Sequence, residues 1–261
     1  MRRNRMFDLT DKVALITGST RGIGKAIASA MADAGARVVI SSRKAEACAE
    51  VAAAIRESGA EAIDIPCNIA HLDQLERLAS ATIEHYGRID SLVLNAAVNP
   101  HFGPMQTVDE RAYDKIMDTN LKSNLWLCNL LLPKMAEAGG GSVIIISSIG
   151  GLKGHARLGI YGLSKAADMQ LARNLAVEWG SSNIRANCIA PGIVKTDFAR
   201  ALYEDPATHA AAVKAYPLGR LGEPDDIAGL AVCLAARAGQ WITGQTIVAD
   251  GGVTISAGSY S

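Results

Sequence analysis

Short apolar runs and longer amphipathic stretches alternate from one end of the chain to the other. The runs Val13–Ile16, Arg37–Ser41, Ala62–Pro66, Ser91–Asn95, Ser142–Ser147, Arg185–Ala190 and Thr246–Ala249 are rich in Val, Ile and Leu. Several show no polar alternation, the pattern of strands buried on both faces. The stretches Ile23–Ala34, Ala45–Ser58, Leu72–Tyr86, Asp109–Ala136, Tyr161–Trp179 and Asp225–Ala236 carry the helical period, and Gly35 and Gly59 stand where C-terminal caps belong. Alternation of this kind predicts parallel strands joined by right-handed crossovers. The expected fold is α/β, a doubly wound seven-stranded parallel sheet with helices on both faces. No repeat, low-complexity tract or Pro/Ser-rich linker interrupts the sequence, so a single domain over residues 1–261 is the simplest organisation.

Composition narrows the classes. Apolar residues at 49% against 20% charged fit a packed core rather than a disordered chain. The net charge is +0, with no basic stripe, so no nucleic-acid partner is expected, because phosphate neutralisation dominates such binding. Five dispersed cysteines, Cys48, Cys67, Cys128, Cys188 and Cys233, without a C-x-x-C, read as reduced core thiols of a cytoplasmic protein. The histidines show no metal-ligand spacing, and no metal is expected. The basic stretch Met1 to Phe7 is followed by no apolar segment, which is unlike a secretory signal. No apolar run approaches the roughly 20 residues that span a bilayer, so no membrane partner is expected.

The first strand runs into Thr17-Gly18-Ser19-Thr20-Arg21-Gly22-Ile23-Gly24. Between a strand and a helix, glycines permit a tight turn and let backbone N–H groups approach a pyrophosphate at the helix N-terminus. The spacing of Gly18, Gly22 and Gly24 is T-G-x-x-x-G-x-G rather than G-x-G-x-x-G, and it is not a P-loop, since Ala26 follows Gly24-Lys25. A glycine-rich turn without a ligand is the plain alternative. The second predicted strand ends in Ser41-Ser42-Arg43-Lys44, where an acidic residue would hold ribose hydroxyls. Ser42 and Arg43, with Arg21 nearby, suit a ribose 2′-phosphate instead. NADP(H) is therefore the preferred cofactor, with NAD(H) left open.

Tyr161 and Lys165 lie four residues apart at the start of a predicted helix, hence on one face. An ammonium beside a phenol favours the phenolate and brings the tyrosine toward working range. Ser148 ends the fifth predicted strand, so it shares the carboxyl edge of the sheet with Tyr161, where ligands bind in such folds. Its hydroxyl can donate to a substrate carbonyl while Tyr161 moves the proton. No G-x-S-x-G elbow surrounds Ser147 or Ser148, which removes a serine hydrolase.

On the glycine turn, Asn95-Ala96-Ala97, Asn120, Ser148, Tyr161, Lys165, the run from Pro191 to Thr196, the run from Gly219 to Pro224 and Asp250-Gly251-Gly252, the chain resembles the short-chain dehydrogenase/reductase superfamily from about Leu9 to Gly252. Asn95 to Pro100 together with Ser41 to Lys44 is similar to its NADP-dependent carbonyl and retinal reductases. The resemblance implies a single-domain Rossmann-like fold and hydride transfer between a nicotinamide cofactor and an alcohol or carbonyl. It implies a catalytic set of Asn120, Ser148, Tyr161 and Lys165, with Asn120 anchoring a water that relays protons to Lys165, which also holds the nicotinamide ribose. Gly18, Ser19, Arg21, Gly22, Ile23 and Gly24 would cradle the cofactor; Ser42, Arg43, Asn68, Ile69, Asn95 and Ala96 would meet its adenosine. Pro191, Gly192, Ile193 and Thr196 would meet its nicotinamide end. Two positions depart from the family pattern: Ala97 replaces a glycine, and Asn68 replaces an aspartate, though its amide can still hydrogen-bond adenine.

Residues 194–216 read as a lid carrying Phe198, Leu202 and Tyr203, with Leu152, His155, His101 and Phe102 as further candidates for the substrate side. Apolar residues on more than one side of Leu121–Ala136 and Tyr161–Trp179 point to a homotetramer. A dinucleotide sensor without turnover and a nucleotide-dependent lyase or epimerase are the alternatives.

Overall fold

A computed structural model describes residues 6–256; the basic stretch Met1 to Arg5 lies outside them. Seven strands form one sheet: β1 (Val13–Thr17), β2 (Arg37–Ser41), β3 (Ala62–Asp64), β4 (Ser91–Leu94), β5 (Gly141–Ile146), β6 (Ile184–Pro191) and β7 (Thr246–Ala249). Their order is β3-β2-β1-β4-β5-β6-β7, and every neighbouring pair is parallel. The helices are α1 (Gly22–Asp33), α2 (Ala45–Glu57), α3 (Leu72–Tyr86), α4 (Glu110–Met117), α5 (Ser123–Glu137), α6 (Gly159–Trp179), α7 (Pro206–Ala215) and α8 (Pro224–Ala235).

The unbroken apolar character of the strands follows from helices on both sheet faces. Val13, Leu15, Leu92 and Ile145 pack on one side with Leu75 and Leu78 of α3, Leu127 and Leu131 of α5 and Met169 of α6. Their neighbours Ala14, Ile16, Val93 and Ile144 pack on the other with Ile27 and Met31 of α1, Val51 of α2 and Ala231 of α8. Each fully buried Leu or Ile contributes about 2 kcal/mol by leaving water. The chain winds outward from β1 in one direction to β3 and from β4 in the other to β7, so the crevice at the carboxyl ends of β1 and β4 is the topological switch point.

The single helix expected over Asp109–Ala136 is divided. Asp109 caps α4 by accepting from the Ala112 N–H at 2.7 Å, and a π-helical turn over Asp118–Lys122 separates α4 from α5. Apolar residues on several sides of this stretch hide one extra residue from the helical period. β3 stops two residues short of Pro66, which has no N–H to give a ladder. Among the described residues no helix is long and apolar enough to cross a membrane, and no cluster of His, Cys, Asp and Glu could hold a metal ion.

Candidate active site

β1 delivers Thr17 to the sheet edge, and the chain then turns through Gly18 at φ +66° and Gly22 at φ +53°, values that favour glycine. A Cβ on Gly24 would meet the Gly18 carbonyl oxygen and come within 2.5 Å of Asn95 Nδ2. α1 therefore starts against the turn itself. Arg21, preceding α1, is extended and supplies no side-chain cap, so the first amides of the helix are left for an anion.

Asn95 braces this turn from β4. Its Nδ2 donates to the Thr17 and Gly18 carbonyls at 3.0 and 3.1 Å, while its backbone N–H and that of Ala96 donate to Thr17 Oγ1 at 3.0 and 3.2 Å. Ser19 differs from its expected role. It is fully buried, and its Oγ accepts from the Ser41 N–H at 2.8 Å, so its side chain ties the turn to β2 rather than facing a ligand. Thr20, not singled out in the sequence, does face the crevice and donates to Ser42 Oγ at 3.1 Å.

One cavity of about 710 Å³ runs from this turn to the carboxyl end of β5, a size suited to a small organic ligand. At one end lie Ser42, Arg43, Asn68 and Ile69. Asn68 is fixed there by its N–H to Gln74 Oε1 at 2.8 Å and by Oδ1 accepting from the Ala70 N–H at 3.3 Å. Arg21 faces Asp197 at 3.6 Å, whereas Arg43 has no carboxylate partner among the described residues. Asn95, Ala96 and the three glycines line the middle, and Pro191, Gly192, Ile193 and Thr196 line the far wall. The glycine cradle, the uncapped helix start and a cavity lined from Ser42 and Asn68 through Asn95 to Ile193 fit a dinucleotide.

Ser148 follows β5 and opens a tight turn over Ile149–Gly151, its Oγ accepting from the Gly150 N–H at 3.0 Å. Glycine is needed next, because a Cβ on Gly151 would approach the Ala166 nitrogen within 2.7 Å. That close approach sets Ser148 beside α6, which starts at Gly159 and so places Tyr161 in its first turn and Lys165 one turn on. Ser148, Tyr161 and Lys165 all line the cavity. Burial raises the Tyr161 phenol above its ordinary value; the Lys165 charge and the Ser148 hydroxyl pull it down without cancelling that rise, and Asp168 adds to it. The sequence expectation of a phenol drawn toward neutrality is thus corrected for this arrangement: Lys165 acts in the expected direction, but burial and Asp168 outweigh it.

Lys165 explains part of the difference. Its Nζ, 5.9 Å from the Tyr161 ring centroid, donates at 2.9 Å to both the Ile146 carbonyl and Asp168 Oδ2. Asp168 was not singled out in the sequence, although it stands three residues after Lys165 and seven after Tyr161 on one helix face, an acid amid Ala167, Met169 and Ala172.

Asn120 sits in the π-helical turn, fully buried and behind the cavity wall. Its Oδ1 accepts from the Val98 N–H at 2.8 Å, and its Nδ2 donates to the Val98 carbonyl and to Ser164 Oγ, each at 3.0 Å. Its own carbonyl accepts from Asn124 Nδ2 at 2.6 Å. The structure therefore gives the Asn120 side chain a clamping role between the segment after β4 and α6. Over the cavity, residues 194–216 form a short 3-10 helix, Asp197–Leu202, followed by α7, with Phe198, Leu202 and Tyr216 facing inward. Tyr216 Oη accepts from the Ile193 N–H at 2.7 Å and Tyr203 Oη donates to the Thr196 carbonyl at 3.0 Å, fastening this segment. Phe102 and His155 line the cavity, while His101 and Leu152 do not.

Comparison with known proteins agrees with this geometry. The family described as enoyl-(acyl carrier protein) reductase matches residues 18–254. The chain belongs to the short-chain dehydrogenase/reductase superfamily. The bovine (Bos taurus) dehydrogenase/reductase SDR family member 4 is 41% identical over 244 residues, 94% of this chain and 88% of the relative. A 7α-hydroxysteroid dehydrogenase complexed with NADH and 7-oxo glycochenodeoxycholic acid superimposes with a TM-score of 0.92 at 34% identity, covering 97% of this chain and 98% of that one. A gluconate 5-dehydrogenase from Burkholderia cenocepacia in complex with NADP and tartrate gives 0.93 at 32% identity, covering 97% and 99%. As a member of this superfamily the chain is a nicotinamide-dependent oxidoreductase that acts on small molecules.

Proposed function

We propose that this single-domain protein is an NADP(H)-preferring alcohol dehydrogenase or carbonyl reductase working through Ser148, Tyr161 and Lys165. The observation that carries this reading is their meeting, with the glycine turn, on one cavity. When bound, the nicotinamide gives or receives the hydride. Ser148 donates a hydrogen bond to the substrate oxygen, and Tyr161 delivers its phenolic proton to that oxygen in reduction or takes it back in oxidation. Lys165 supplies positive charge beside Tyr161 and a donor toward the nicotinamide ribose. Asn120 holds the wall formed by Val98. The lid residues Phe198 and Leu202 cover apolar substrate surface and exclude water.

The NADP(H) preference rests on Ser42 and on Arg43, whose guanidinium has no carboxylate partner among the described residues at the adenosine end. The Burkholderia relative holds NADP and the hydroxysteroid enzyme NADH, which supports the cofactor class. The reading extends to a cytoplasmic homotetramer: Leu163 and Val177 of α6 are exposed, and Leu121 and Leu125 of the α5 region and Ala167 of α6 are only half-buried. NADPH consumption measured over a panel of ketones and aldehydes tests the activity. Turnover of several with NADPH is expected, and binding of NADPH without consumption of any would overturn the reading.

A further inference from the structure

Lys165 and Asp168 form an ion pair at 2.9 Å in which the side chains are 2% and 0% exposed. A carboxylate so enclosed is costly to hold charged, and an apolar side chain could fill the same space. Asp168 is instead built in from two sides. Oδ2 accepts from Lys165, and Oδ1 accepts at 3.1 Å from Asn124 Nδ2, which also grips the Asn120 carbonyl in the π-helical turn. The acid–base role assigned above to Tyr161 and Lys165 does not itself call for a carboxylate at this place.

We propose that Asp168 is a positioning residue: it holds Lys165 charged in the cavity wall, cancels part of the lysine's field at Tyr161, and so sets the pH at which the tyrosine exchanges its proton. This rests on the reading of Tyr161 as the proton-exchanging group. The surroundings leave the control to this pair. On α6 the charged or titratable groups facing it are Tyr161 and the pair itself; α5 contributes neutral Asn124 and the thiol of Cys128, pushed up to about 12 by burial. β6 contributes Cys188, whose thiol burial also pushes up, β5 the Ile146 carbonyl, and the turn after it the Ser148 hydroxyl. Among the described residues no second carboxylate or cation forms a hydrogen bond or ion pair with Tyr161, Lys165 or Asp168. Burial works against the Lys165 ammonium, and Asp168 with Tyr161 reverses that, holding its pKa above the ordinary lysine value.

Asp168→Asn keeps the size and a partner for Asn124 while removing the charge. Tyrosinate absorbance, taken as the difference between each protein and its Tyr161→Phe counterpart, reads the ionisation of Tyr161 without substrate. Ionisation in Asp168→Asn is expected about one pH unit or more below that of the wild type, with the same displacement in the pH limb of kcat/KM. An unmoved ionisation accompanied only by lower thermal stability would show a purely structural pair and overturn the proposal, as would an upward shift. If Asp168→Asn does not fold, Asp168→Leu, which fills the space without a charge, is read by the same titration: a downward shift of Tyr161 is again expected, and an unmoved ionisation overturns the proposal. The functional reading fails separately, through absence of NADPH turnover, while the absorbance titration still reports on Asp168.

Discussion

Phe198 of the lid lies over Tyr161, their ring centroids 6.1 Å apart and their planes tilted by 40°. The lid and the proton-exchanging group are therefore in direct contact across the mouth of the cavity. Phe198→Ala should lower kcat/KM for apolar carbonyl substrates by about tenfold, equivalent to about 1.4 kcal/mol of lost apolar contact. NADPH affinity, measured by fluorescence, should change far less. An equal loss for small polar and larger apolar substrates would contradict the assignment of Phe198 to the substrate side.

Tyr161→Phe removes one hydroxyl from the first turn of α6, where Tyr161 is half-buried at the cavity wall. Turnover should fall by a factor of about 100 or more, with NADPH binding nearly unchanged and the loss seated in kcat. Lys165→Met should weaken NADPH binding as well, because the ammonium is assigned to both the ribose and the tyrosine. Steady-state kinetics paired with cofactor titrations separates the two patterns.

Arg43→Asp replaces a guanidinium by a carboxylate at the adenosine end of the cavity. Preference should move from NADPH toward NADH by at least a factor of ten, the equivalent of about 1.4 kcal/mol and within one charge-assisted contact. Matched kcat/KM values for the two cofactors give the answer. A wild type that prefers NADH would refute the reading of Ser42 and Arg43.

Asp90, at the foot of β4, accepts from the Val13 N–H at 3.0 Å and pairs with Lys12 at 3.0 Å and Arg88 at 2.6 Å. Burial would raise its carboxyl, but Arg88, the Val13 amide and Lys12 hold it below the ordinary aspartate value. Asp90→Ala should cost about 2 kcal/mol at neutral pH, discounted for the exposure of both cations. With a folded pKa below the unfolded one, the contribution is fully present above the unfolded value of about 3.9 and disappears as pH falls through the lower folded value. Urea unfolding of both proteins should therefore converge in acid, and a constant gap across that range would refute the account.

The outer sides of α5 and α6 lead to a prediction about assembly. Leu163 is 53% exposed, and Val177 at 87% lies further along the same helix. Light scattering at micromolar concentration should give a mass of four chains, and replacing Leu163 and Val177 by charged residues should reduce it. A mass of one chain for the wild type would remove the hypothesis.

The sheet was legible in the sequence because strands covered on both faces read as uninterrupted Val and Ile runs, and strand ends shifted by only a residue or two. The meeting of Gly18, Gly22, Gly24, Ser148, Tyr161 and Lys165 on one cavity was also legible, since glycine at a turn and polar groups at a sheet edge leave local marks. Ser19 was misplaced because its neighbours in sequence conceal a long-range bond to Ser41. Asp168 went unnoticed for the opposite reason: an acid inside a helix reads as a solvated position unless the carboxyl's burial is known. The lowering of the Tyr161 phenol expected from Lys165 alone likewise depended on partners that only the folded packing supplies.

The π-helical turn over Asp118–Lys122 makes this segment sensitive to length rather than to composition. Each residue of a regular helix advances about 100°, so deleting one residue to recover an unbroken helix would rotate α4 by that angle relative to α5. Either Asn120 would lose its grip on Val98, or Leu127, Leu131 and Met135 would leave the core. Exposed Asp118 and Lys122 can change identity at little cost, yet the number of residues between Met117 and Ser123 is fixed by what both ends must reach.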